Sequence, residues 1–338
     1  MTLPSPRIAI TGTGLAEDVE GALDISGIDP GRLRRMDRFG RLGFFAGSLA
    51  LREAEAARPA GACGPAHDPA RSGIVFGTSF GCRDSVTDHA LLVATTTRSD
   101  ELSPGLFAQT VHNAVNGELA IAWGLGGVSE VVVSGRCAGL EALLVAATFV
   151  QDGTADRVVA GGGEGLHEAM RQAWREERSR YGEAASGIEA QEAAAALVLS
   201  PQDPERPSGP RLDGGTLFFE PDAGRAAERL VAWVAEFDGC ASLPNRREPR
   251  QLCIASLPLE PAFGPALERG LSPLSWVSRP RAMAPGQELF AAAGPVAVVE
   301  AVRRIRAGEG SAALVVARDP DGSTCVVVIA ESDEPRVS

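Results

Sequence analysis

The 338-residue chain contains no lysine; all 32 basic residues are arginines. That excludes Schiff-base chemistry, a lysine-anchored pyridoxal cofactor and a phosphate-loop lysine. Histidine is nearly as scarce, with His67, His89, His112 and His167 and none in the second half. The six cysteines (Cys63, Cys82, Cys137, Cys240, Cys253 and Cys325) are scattered and form no C-x-x-C pair, so no metal site is expected. No long apolar run is present either. The longest apolar helical stretch, residues 138–150, is interrupted by Glu141 and is too short to span a bilayer. Arg7 leads straight into the strand-like Ile8-Ala9-Ile10-Thr11, which does not read as a secretory leader. The expected setting is a reducing cytoplasm with free thiols. With 44 acidic residues against 32 basic ones the net charge is −12, so neither nucleic acid nor an anionic membrane is an expected partner.

What is present describes a globular chain: 44% hydrophobic and 22% charged residues, enough for two lobes around sizeable cores. Val- and Ile-rich segments alternate with Ala/Leu-rich helical patterns, which points to a layered α/β fold. Strands are predicted at 7–11, 73–76, 130–134, 157–160, 194–199, 252–255, 312–317 and 325–330. Helices are predicted at 42–57, 115–123, 139–151, 225–236 and 294–306. Four prolines within residues 200–210 mark a loop between a lobe of residues 1–200 and a shorter lobe of residues 201–338.

A weak internal repeat supports that division. Cys137-Ala138-Gly139, an apolar helix, Gln151-Asp152-Gly153 and Val158-Val159-Ala160 form one copy. Ala292-Ala293-Gly294, an apolar helix, Arg306-Ala307-Gly308 and Val315-Val316-Ala317 form the other. Two such units predict a pseudo-twofold axis, with any site on it drawing on the starts of both helices.

Cys137 lies between a buried-strand pattern, the turn Gly135-Arg136 and a helix opening at Ala138. A thiol there faces unpaired N–H groups and the positive end of the helix dipole, which favour a thiolate. Arg136 adds charge if its side chain points the same way. The alternative is a small cysteine packed at a tight strand–helix junction.

The segment from Val133 to Leu143 resembles the nucleophile elbow of β-ketoacyl synthases, the ketosynthases of the thiolase fold. Residues 7–14, Arg35-Met36-Asp37-Arg38-Phe39, 73–81, 106–125 and 155–164 resemble further family landmarks in the expected order. The resemblance covers about residues 7–200 and thins afterwards. It implies an α/β, thiolase-like duplicated layered fold (αβαβα) with two pseudo-symmetric lobes. The chain then departs from the family. A condensing member is expected to bring two histidines and a lysine to its cysteine from the second half, for oxyanion and acid–base work. Here Ser256-Leu257-Pro258-Leu259-Glu260-Pro261 stands where the first histidine motif should lie. Glu288, or Gln287 if the gap shifts by one, takes the second histidine position. Asp319-Pro320-Asp321-Gly322-Ser323 replaces the glycine- and phenylalanine-rich loop.

Loss of the histidines resembles the chain-length factor, a ketosynthase-like subunit that pairs with an active ketosynthase in type II polyketide or fatty-acid-like biosynthesis and helps bound the acyl tunnel. The implied partners are a ketosynthase subunit, in a heterodimer, and an acyl carrier protein that delivers phosphopantetheine. No cofactor of the chain's own is implied. Chain-length factors usually lack the cysteine that this chain keeps, so a Cys137-dependent acyltransferase or atypical condensing enzyme stays open, with His112 or Glu288 as helper. His112 either polarises a thioester near the pocket or is a polar residue at a helix entrance or dimer surface. Residues 107–115 would lie near the dimer interface. Arg32, Arg34, Arg35, Arg38 and Arg41 could receive an acidic carrier protein or form a solvated face.

Other motifs fit less well. Gly77-Thr78-Ser79-Phe80-Gly81 matches a serine-hydrolase elbow but has no late histidine behind it. Gly12-Thr13-Gly14 lacks the third glycine of a dinucleotide loop, and Glu164-x-x-His167 is a single copy of a motif that di-iron sites use twice.

Overall fold

The computed structural model describes residues 2–3, 8–17, 30–57, 67–179, 187–203, 209–240, 250–254, 262–274, 276–278 and 287–332. The first half contains β1 (Thr2–Leu3), β2 (Ile8–Ala16), α1 (Pro30–Arg35), α2 (Arg38–Ala56), β3 (Ser72–Thr78), α3 (Arg83–Thr95) and α4 (Pro104–Phe107). It continues through α5 (Ala114–Trp123), β4 (Ser129–Val133), α6 (Ala138–Gln151), β5 (Arg157–Glu164), α7 (Glu168–Arg178), β6 (Glu189–Ala190) and β7 (Ala193–Pro201). The second half contains β8 (Pro210–Phe219), α8 (Ala223–Cys240), β9 (Arg250–Ile254), α9 (Phe263–Leu271), β10 (Trp276–Ser278) and β11 (Gln287–Glu288). It ends with α10 (Ala293–Arg306), β12 (Ala312–Arg318) and β13 (Ser323–Glu331).

The main strands follow one path, β10-β9-β12-β13-β8-β2-β7-β5-β3-β4. Read outward from the β8–β2 seam, both halves have the same topology. Each takes its first, fifth, fourth, second and third main strands in that order, with two antiparallel steps followed by two parallel ones. The halves join where Ile8 pairs with Leu212 and Ala9 with Arg211. The predicted repeat is therefore a repeat of topology.

Both half-sheets are covered on both faces, which is why their strands read as unbroken apolar runs. Alternate residues of β7 (Ala195, Leu197, Leu199) and β13 (Cys325, Val327, Ile329) face a central layer made by α6 and α10. The opposite faces of the strands are covered by α2 and α5 in the first half and by α8 and α9 in the second. The result is five layers, αβαβα.

The central helices match closely. Each has 14 residues, each ends on a residue with φ −82° and ψ 0°, and each is followed by a left-handed glycine, Gly153 or Gly308. They cross at equivalent glycines. A Cβ on Gly139 would lie 2.2 Å from the Ala291 carbonyl oxygen, and one on Gly294 would lie 2.5 Å from Leu140 Cγ.

Some sequence expectations change. β7 continues to Pro201 and β8 starts at Pro210, which shortens the expected loop at both ends. β8 is an unpredicted strand because it carries Arg211 and Asp213, a buried ion pair at 2.8 Å, followed by two glycines. Gly12 and Gly14 let β2 approach α2, where a Cβ would lie about 2 Å from the Ala50 and Ala46 carbonyl oxygens, so they serve packing. His167 caps α7, its Nδ1 accepting the Ala169 N–H at 3.1 Å. Among the described residues no helix is long and apolar enough to cross a membrane, and no His/Cys/Asp/Glu group could hold a metal ion.

Candidate functional site

The elbow forms where β4 ends and α6 begins. Gly135 takes a φ of 46°, a left-handed value open to glycine at little cost, and residues 135–137 make a single 3-10 turn. Cys137 therefore sits at the opening of α6, and of the two readings its surroundings favour the packed cysteine over the thiolate. The residue is fully buried, and its Sγ lies 3.5 Å from the carbonyl oxygens of both Ala317 and Ser323. Burial first, then the nearby Cys325, Asp319 and Glu141, push the thiol well above the usual cysteine range. The dipole of α6 does not outweigh that.

The donors that could have steadied a thiolate are already occupied. Asp319, at the end of β12, places its carboxylate over the elbow. Oδ1 accepts the Arg136 N–H at 2.8 Å and Oδ2 accepts the Cys137 N–H at 3.0 Å.

Arg136 does not turn toward the thiol; its Nε donates to Glu288 Oε2 at 3.1 Å. Its guanidinium lies over the rings of Phe290 and Trp174, with centroids 5.5 and 5.8 Å away. Burial opposes that charge, but Glu288 and then Asp319 outweigh it and keep the guanidinium protonated. Glu288 is buried in β11 and its Oε1 also accepts the Phe290 N–H at 2.7 Å. Gln287 is only half-buried, so Glu288 is the residue of the two that reaches the elbow. An Asp319–Arg136–Glu288 cluster thus fills the space beside Cys137, with Cys137 and Glu288 both part of it.

The structure places His112 elsewhere. It is exposed, and its Nδ1 lies 3.6 Å from the Cys82 sulfur. Ser79 donates to the Gly135 carbonyl oxygen at 2.7 Å and so braces the elbow. Glu164 is fully buried behind it, accepting from Thr78 Oγ1, from the Ser79 N–H at 2.6 Å and from the Phe80 N–H at 3.2 Å. Burial dominates those hydrogen bonds and raises the Glu164 carboxyl to about 8.

In the arginine-dense segment, Arg34 and Arg35 are exposed, Arg38 pairs with Glu192 and Arg41 donates to the Met36 carbonyl oxygen. The side chain of Arg32 and residues 255–261 lie outside the described residues. Large exposed apolar side chains concentrate in residues 91–133, namely Leu91, Val93, Phe107, Val111, Ile121 and Val133. This segment includes β4, the end strand of the sheet.

Sequence reading missed Asp319, Trp174 and Glu164 as parts of the site. The altered loop at 319–323 was a signal that this region had changed, but not that its first residue would enter the elbow.

Residues 13–205 match the family described as beta-ketoacyl synthase, N-terminal domain. A Streptomyces virginiae protein described as polyketide beta-ketoacyl synthase 1 is 32% identical over 141 residues. That match covers 40% of this chain and 32% of the relative, so it spans about a third of the relative's length. Solved structures match nearly end to end, with thiolase-like ketosynthase folds. A chain of the ishigamide ketosynthase/chain length factor has a TM-score of 0.71 at 21% identity, covering 96% of this chain and 99% of that one. A chain of AntDE:AntF, a type II polyketide synthase acyl-carrier protein in complex with its ketosynthase, has a TM-score of 0.72 at 19% identity, covering 97% and 100%. A beta-ketoacyl synthase from Burkholderia phymatum STM815 has a TM-score of 0.73 at 14% identity, covering 96% and 99%.

Proposed function

The chain belongs to the β-ketoacyl synthase family, and from that premise we propose that it works as a non-condensing, chain-length-factor-like subunit. In this reading it pairs with an active ketosynthase in type II polyketide or fatty-acid-like biosynthesis, in the cytoplasm, and helps shape the tunnel in which the acyl chain grows. The chain arrives on the phosphopantetheine arm of an acyl carrier protein, and the subunit needs no cofactor of its own.

One observation carries the reading. The elbow that a condensing enzyme keeps open is filled by Asp319, Arg136 and Glu288, and the thiol beneath them is buried, which pushes it well above the usual cysteine range. The chain's only four histidines lie at or before position 167, so none comes from the second half to polarise a thioester there. The apolar side chains exposed across residues 91–133 suit a surface that a related subunit covers. The likeness to a ketosynthase/chain length factor structure agrees with this role.

The test is a condensation assay on purified protein with acyl- and malonyl-carrier proteins, run with and without a complete ketosynthase subunit of a type II system. Alone, the chain is expected to give no β-ketoacyl product. With the ketosynthase it forms a one-to-one complex and alters product length. Condensation by the purified chain alone overturns the proposal.

A further inference from the structure

Asp319 sits in the turn between β12 and β13, and that turn closes through its backbone. The Asp319 N–H donates to the Ser323 carbonyl oxygen at 2.8 Å, and the Gly322 N–H donates to the Asp319 carbonyl oxygen at 3.0 Å. The carboxylate is not needed for the hairpin. It reaches into the other half of the molecule and takes the two amide hydrogens at the opening of α6.

Those amides lie at the opening of a helix, where negative charge is favoured, and Asp319 is the negative group that takes them. They adjoin the sulfur that would attack a thioester carbonyl, so they suit the oxyanion which that attack creates. Arg136 makes the same place positive independently of the helix. Its side chain is 8% exposed, and its Nη1 lies 4.0 Å from Asp319 Oδ1. Its buried Nη2 has no hydrogen-bond acceptor among the described residues. The carboxylate thus fills a site built for an anion. The Asp319 side chain is itself 10% exposed, so shortening it opens that site toward solvent.

Resting on the partner-subunit reading, we propose that Asp319 is an internal stand-in for the oxyanion of an acyl thioester, and that its carboxylate, added to the burial of the thiol, keeps Cys137 from accepting an acyl group. With the carboxylate gone, the Cys137 sulfur attacks the thioester carbonyl while the Arg136 and Cys137 amides hold the oxygen. A new carbon–sulfur bond forms, the carbon–sulfur bond to pantetheine breaks, and the Cys137 proton leaves with the pantetheine thiol.

The experiment is intact mass against time with butyryl-pantetheine for the wild type, Asp319→Ala, Asp319→Ser and the double variant Asp319→Ala/Cys137→Ala. Cooperative melting serves as the check of folding. The wild type is expected to stay unmodified. Asp319→Ala gains one butyryl group about a hundredfold faster, the scale of an oxyanion donor, and the double variant gains none. Asp319→Ser, whose hydroxyl can still accept from one amide, is slower than Asp319→Ala and decides the matter if the alanine variant does not fold. Folded variants no faster than the wild type overturn this inference and leave the partner-subunit reading standing. Ready acylation of the wild type at Cys137 overturns both.

Discussion

The two helix openings on the pseudo-twofold axis share a backbone and differ in almost everything that touches it. Gly135 has a φ of 46° and Phe290 a φ of 47°, each two residues before its helix cap, Cys137 or Ala292. In the first half glycine takes the left-handed conformation freely. In the second half a phenylalanine takes it at a cost of about 1–3 kcal/mol, and its surroundings hold it there. Its N–H is bound by Glu288, and its ring packs edge-on against Phe80 and Trp174, with centroids at 5.0 and 5.6 Å. The tight turn belongs to the fold and recurs where there is no cysteine. Whether it becomes a reactive site depends on the side chains set around it.

The largest expected effect comes from breaking the link between the two openings. Glu288→Ala leaves the Arg136 charge buried without its nearest partner and also removes the acceptor for the strained Phe290 amide. The expected loss is about 3–5 kcal/mol in urea unfolding; a loss no larger than a surface substitution would show that the cluster does not tie the halves together.

The helix crossing should then respond unequally. Gly139→Ala drives a methyl into the backbone oxygen of Ala291, whereas Gly294→Ala meets the Leu140 side chain, which can rotate. Expected losses are about 3 and about 1 kcal/mol. Equal losses would mean that the two halves are symmetric in packing as well as in topology.

A last effect, set by pH, separates the two carboxylates that hold loops, Glu164 behind the β3 loop and Asp319 over the elbow. Glu164 has a folded pKa of about 8, above its ordinary 4.5, so the folded state holds its proton while the unfolded chain releases it. Its contribution is fully present below the ordinary value and is lost as pH rises toward 8. Glu164→Gln should therefore narrow the gap between urea midpoints at low and neutral pH. An unchanged gap would assign the pH dependence to another group, such as Asp37, which burial also raises, to about 6.

The layered fold was legible because its strands are buried on both faces and so announce themselves as Val/Ile/Ala runs. β8 escaped because it buries an arginine and an aspartate against each other, which reads as polar loop. Helix α7 escaped because only Trp174 of its residues is fully buried. Cys137 and Glu288 were found from local pattern and from resemblance. Asp319 was not, because it reaches Cys137 across 182 residues of sequence, and no spacing rule records where a hairpin turn will land.

The seam between the halves also bears on how the chain is made. β2 lies between β7 and β8, with Ile8 paired to Pro201 on one side and Leu212 on the other. During synthesis at roughly 5–20 residues per second, residues 8–16 wait on the order of 10–40 s before either neighbour emerges. Throughout that interval an apolar segment with two open edges is offered to whatever the cell places beside the ribosome.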